Sequence, residues 1–135
     1  MANAFTLIEI LIVIAIGASL AALTMPTSID LYQSQQFDTA VDEIIQALRR
    51  AQIKSMANTN DAAFGVYFED GQYKISGGAD EEIFKVPDNV YFMGLTEIIF
   101  SKLDGLPSET GNIIVADNQR IEIININQYG RIQLN

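Results

Sequence analysis

The sequence predicts an α+β protein: a long, kinked N-terminal helix, half apolar stalk and half amphipathic, packed under a small, mostly antiparallel β-sheet head. Three observations lead there. An unbroken apolar run fills positions 5–25, helical periodicity continues to about residue 58, and beyond residue 60 the pattern shortens to alternating segments punctuated by turn residues. The expected divisions are a short leader at 1–4, an apolar helix of membrane-spanning length at 5–28, an amphipathic helix at 29–60 and a β-rich head at 61–135.

The apolar run, Phe5 to Met25, holds 21 residues and one ionisable side chain, Glu9. About 20 apolar residues in a helix span the ~30 Å hydrocarbon layer of a bilayer. A cleaved secretory signal would carry a basic segment ahead of a shorter apolar stretch; here the first basic residue is Arg49. A carboxylate such as Glu9 inside an apolar span costs roughly 2.5–3.5 kcal/mol unless it finds a partner. Glu9 therefore either has a specific role or sits at headgroup level in water. Gly17 and Pro26 are the weak points of the helix, because glycine adds backbone entropy and proline removes a hydrogen bond, so a break or kink is expected between them.

The second half of the helix is carried by Phe37, Val41, Ile44, Ile45, Leu48, Ala51 and Met56 at helical spacing, with charged and amide residues between them. Asp38 and Asp42 stand early and Arg49, Arg50 and Lys54 late, which suits the helix dipole. Asn58-Thr59-Asn60-Asp61 supplies the stop. In the head, turn pairs Asp70-Gly71, Gly77-Gly78, Asp104-Gly105, Asp117-Asn118 and Tyr129-Gly130 separate eight short strands, at 62–68, 72–76, 83–86, 90–93, 98–101, 112–116, 120–127 and 131–134. Their apolar face is expected to cover the helix between Phe37 and Met56. The strand at 120–127 alternates imperfectly, which implies apolar contacts on both faces or a bulge.

Composition narrows the chemistry. Eight Lys and Arg stand against 17 Asp and Glu, a formal charge of -9, and such a chain repels phosphate backbones, so nucleic acid is disfavoured as a partner. The absence of Cys removes disulfides and thiolate metal sites, and the absence of His removes the commonest general base. Ser19, Ser55 and Ser101 thus have no imidazole to activate them. Gly77-Gly78 lacks the Lys-Ser/Thr of a phosphate loop. Asp80-Glu81-Glu82 matches no cation-loop spacing and reads as a solvated turn. Arg49, Arg50 and Lys54 form one basic cluster, either a small DNA contact or a balance for acidic neighbours. No catalysis, cofactor or metal is expected.

The string Phe5-Thr6-Leu7-Ile8-Glu9 ahead of the apolar stretch resembles the processing site of type IV pilins and type II secretion pseudopilins. Later segments are loosely similar to the minor pseudopilin and fimbrial minor pilin group: Gln46 to Gln52 running into Asn58-Thr59-Asn60, Val86-Pro87-Asp88-Asn89-Val90, Phe100 to Gly105, and Tyr129-Gly130-Arg131-Ile132. The resemblance implies cleavage between Ala4 and Phe5 by a prepilin peptidase, N-methylation of Phe5, and pairing of Glu9 with the terminal amine of a neighbouring subunit. A buried carboxylate and a buried ammonium are each costly alone, so together they select register. Ala4 stands where the family usually has Gly, and the leader lacks the usual basic residues. It further implies that 5–28 is a transmembrane and polymerisation helix losing order between Gly17 and Pro26. The subunit would rest in the lipid bilayer of the inner membrane, then pass through inner-membrane assembly machinery into a homo-oligomeric or mixed helical filament at the cell surface. The alternatives left open are a secretion pseudopilin, a DNA-uptake minor pilin, and a monomeric single-span protein with an extracytoplasmic binding head.

Overall fold

The computed structural model describes the backbone from Thr6 to Asn135 and, within it, the side chains of all residues but 23–30. Helical backbone, α1, extends over Leu7–Met56, and eight strands follow: β1 Phe64–Glu69, β2 Gln72–Gly77, β3 Asp80–Lys85, β4 Tyr91–Gly94, β5 Glu97–Phe100, β6 Gly111–Ala116, β7 Ile121–Ile126 and β8 Ile132–Leu134. The chain divides into two units, Met1–Gln35 and Gln36–Asn135. Each is described by itself.

In the first unit every described side chain from Thr6 to Ala22 is exposed. An uninterrupted aliphatic sequence can satisfy its backbone in a helix, but one helix alone cannot bury its own surface. Among the described residues no helix is long and apolar enough to cross a membrane.

The kinked stalk of the sequence reading is therefore corrected. Gly17 lies inside helical backbone with open space around the position of a Cβ. Helical backbone also continues through Pro26, whose side chain lies outside the described residues. Glycine in a helix costs only about 1 kcal/mol against alanine, too little to force a break.

The second unit is α+β, but its strands form two four-stranded antiparallel sheets rather than one. The first sheet has the order β3-β2-β1-β5 and the second β4-β6-β7-β8. Hairpins account for most neighbours. In the β1–β2 hairpin Gly71 takes φ 75°, a left-handed conformation that costs a side-chain-bearing residue about 1–2 kcal/mol. β5 leaves β4 to pair with β1, placing Val66 opposite Ile98, while β4 pairs with β6, placing Met93 opposite Ile114.

A single apolar cluster joins the helix to both sheets: Phe37, Val41, Ile44, Leu48 and Ala51 meet Phe64, Val66 and Ile98 of the first sheet and Ile113, Val115 and Ile124 of the second. Phe68 and Phe92 touch across the sheets with ring centroids 5.1 Å apart. Met56, expected on the packed face, is half exposed. The helix stops at Asn58, which adopts the left-handed conformation common just after a helix C-terminus and donates its backbone N–H to the Ser55 carbonyl.

Candidate functional site

Ala4 and Phe5, the expected cleavage site, lie outside the described residues. The first described turn of α1 explains part of what Glu9 does. The Thr6 backbone N–H and the Thr6 hydroxyl each donate to Glu9 Oε2 at 2.9 Å. The Glu9 N–H in turn faces the Thr6 hydroxyl at 3.4 Å. This is a reciprocal capping box, in which a Thr at the helix start and a Glu three residues on satisfy backbone donors that the helix leaves open. The signal Thr-x-x-Glu ahead of an apolar run is present in the sequence, and the reading of Glu9 as an assembly residue passed over it.

Behind the cap the helix presents an aliphatic surface on all sides. Leu7 is 77% exposed, Val13 69% and Ile12 52%, with Ile8, Ile10, Leu11, Ile14 and Ile16 similar. Exposed singly such side chains are ordinary, but a contiguous run marks a surface made to be covered. Ser19 interrupts it without adding a free polar group, because its hydroxyl donates to the Ala15 carbonyl at 2.7 Å.

The basic cluster at the end of α1 is largely spent within the chain. Arg50 and Lys54 both reach Glu82, at 3.0 and 2.7 Å. Lys54 also lies 5.1 Å from the centre of the Phe64 ring. The Lys54 hydrogen bond holds the Glu82 carboxyl below its ordinary value. Asp80-Glu81-Glu82, expected as a solvated turn, begins edge strand β3 instead, since the helix supplies the cations that let Glu82 pack there. Asn60 donates to Asp80 Oδ2 at 2.9 Å, and no group of three ligand-type side chains capable of holding a metal occurs among the described residues.

Three polar anchors escaped the sequence reading because each joins α1 to a residue of another element, a pairing with no local pattern. The Gln52 amide donates to the carbonyls of Gly105 at 2.9 Å and Gly130 at 3.0 Å, tying two loops to α1. Ser55, fully buried, accepts from the Phe64 N–H at 2.7 Å at the start of β1. Arg120 bonds Asp38 at 2.8 Å and stacks 4.4 Å above the Phe37 ring. Asp117, a turn position in the sequence, accepts from the N–H groups of Gln119 and Arg120 and so closes the β6–β7 hairpin.

No protein-family model, curated protein or solved structure matches this chain. The pilin resemblance accordingly rests on the residues themselves.

Proposed function

We propose that this chain is a non-catalytic structural subunit of a type IV pilus or related filament, held in the cytoplasmic membrane before assembly and joined to other subunits through its N-terminal helix. The observation that carries the reading is the uncovered aliphatic surface of α1 from Leu7 to Leu20, capped by Glu9. In water each of those side chains would gain roughly 1.5–3 kcal/mol by full burial, so the helix demands an apolar surrounding. A bilayer provides one for the sequence from Phe5 to Met25, and a bundle of like helices provides another.

Lipid tails are as apolar as leucine, so transfer from membrane to filament gains little from hydrophobicity and calls for an assembly machine. Glu9 then selects the stacking register by pairing with the terminal amine of a neighbour once Phe5 is exposed by cleavage. Mass spectrometry of the native N-terminus tests the processing, expecting a methylated Phe5. Electron microscopy of material sheared from the cell surface tests the assembly, expecting fibres. Native chains that keep residues 1–4 and never form fibres would sink the proposal and favour a monomeric single-span protein.

A further inference from the structure

The two sheets differ sharply on the faces turned away from the core. On the first sheet that face sets Glu69, Lys74, Glu81, Lys85 and Glu97 among Tyr67, Ile83 and Ile99, so charge breaks up its apolar area as on a solvated surface. On the second sheet, core-facing Ile113, Val115, Ile124 and Ile126 fix the opposite register. There Tyr91 and Ile121 flank Ala116 in one cross-strand row, and Met93, Ile114 and Ile123 make the next. Ile121 is 62% exposed, and Tyr91 and Met93 are 44% exposed each. The third row is Asn112 beside Asn125, whose Nδ2 donates a hydrogen bond to Asn112 Oδ1 at 2.8 Å. None of these strand positions carries a carboxylate, ammonium or guanidinium, in a chain of charge -9.

We propose that this face packs against the same face of a second copy of the chain. Its chemistry is self-complementary. Aliphatic rows match aliphatic rows, and an amide is both donor and acceptor, so the Asn112–Asn125 row pairs with its own image when a twofold axis runs along the strands. A basic or acidic partner would find no charge to engage. Two copies of charge -9 each meet at this face with no like-charged strand side chains in the contact. Strand spacings of ~4.8 Å and ~3.4 Å per residue give about 300–400 Å² per copy. That is below the roughly 1,200 Å² total of stable complexes, so the contact forms and breaks freely. It depends on the head alone and not on the filament reading.

The cysteine-free sequence allows a clean test with single cysteines in the full-length chain in detergent. Ile121→Cys reports the proposed face, and Ile83→Cys, 57% exposed on the outer face of the first sheet, is the matched control. A bismaleimide spanning about 10 Å, the separation of packed sheets, is the probe. Ile121→Cys is expected to give covalent dimers at least about tenfold faster than Ile83→Cys. Met93→Glu added to Ile121→Cys is expected to remove that advantage while circular dichroism shows the fold intact, and Tyr91→Glu at the sheet edge repeats the test. Association through the apolar helix, or occupation of the face by a different protein, would leave the two positions equal. Equal yields, or a yield insensitive to both glutamates in folded protein, overturn the proposal. Filament loss would not, since it is read separately by microscopy.

Discussion

Glu9 can act as a helix cap, as an assembly charge, or as both, and three substitutions separate the roles. The capping box uses Glu9 Oε2 as an acceptor for the Thr6 N–H and hydroxyl, both at 2.9 Å. A glutamine at this position keeps an acceptor oxygen and is itself a favoured capping-box residue, so Glu9→Gln preserves the cap and removes only the charge. Thr6→Ala does the reverse, deleting the capping hydroxyl at a cost of about 1 kcal/mol and leaving the carboxylate in place. If Glu9 pairs with a buried terminal amine between subunits, losing the charge strands that amine at a cost of about 3–5 kcal/mol, a factor above 100 in an assembly constant. A lost cap amounts to roughly fivefold. The assay is sheared filament yield normalised to subunit recovered from membranes. Glu9→Gln is expected to lose filaments more than about 100-fold while remaining membrane-bound, and Thr6→Ala less than about tenfold. Near-parental yield from Glu9→Gln, with Glu9→Ala and Thr6→Ala equally impaired, would show that Glu9 is a cap and nothing more.

Three further outcomes follow from the second unit. Ser55→Ala strands the buried Phe64 N–H, so stability should fall by about 1–3 kcal/mol, read as a drop in melting temperature of several degrees by circular dichroism; an unchanged midpoint would mean that Ser55 does not anchor β1. Gly130→Ala faces both a φ of 73° and a Cβ that would overlap Gln52 Nε2, whereas Gly71→Ala has φ 75° and open space, so the first should cost at least about 1 kcal/mol more in denaturant titration, and equal costs would refute the Gln52 clamp. Burial, with the Glu43 charge adding to it, pushes the Tyr73 hydroxyl up to about 12. The folded state thus prefers the neutral phenol: its contribution is complete below pH 10 and is lost as pH rises towards 12, about 2–3 kcal/mol in all. Tyr73→Phe should flatten that alkaline decline, and a tyrosinate absorbance titrating entirely near pH 10 would contradict it.

What the sequence made legible was local, and what it hid was pairing. All eight strands lie within a few residues of their expected positions, because Asp70-Gly71 and the other turn pairs interrupt alternating runs whatever the tertiary structure does. Which strand adjoins which is a different kind of information. β5 could have paired with β4, its neighbour in sequence, and its choice of β1 buries Ile98 and Phe100 beside Val66 and Phe64, a long-range match with no local signature. The same limit explains Asp80-Glu81-Glu82, where the cations that turn an apparent loop into a strand arrive from Arg50 and Lys54 on the helix.

The imperfect alternation at 120–127 was the most informative departure, because a strand with apolar residues on both faces must be covered twice. Inside the unit Ile124 and Ile126 are covered by the core, while Ile121 stays open. The first unit has the same problem along α1. Two surfaces of the described chain, the aliphatic run of α1 and the outer face of β4, β6 and β7, thus stay uncovered, and each can be satisfied only by something outside it. For the helix a bilayer and a bundle of like helices both serve, with Glu9 choosing register in the second; for the uncharged sheet face, chemistry that matches itself selects another copy.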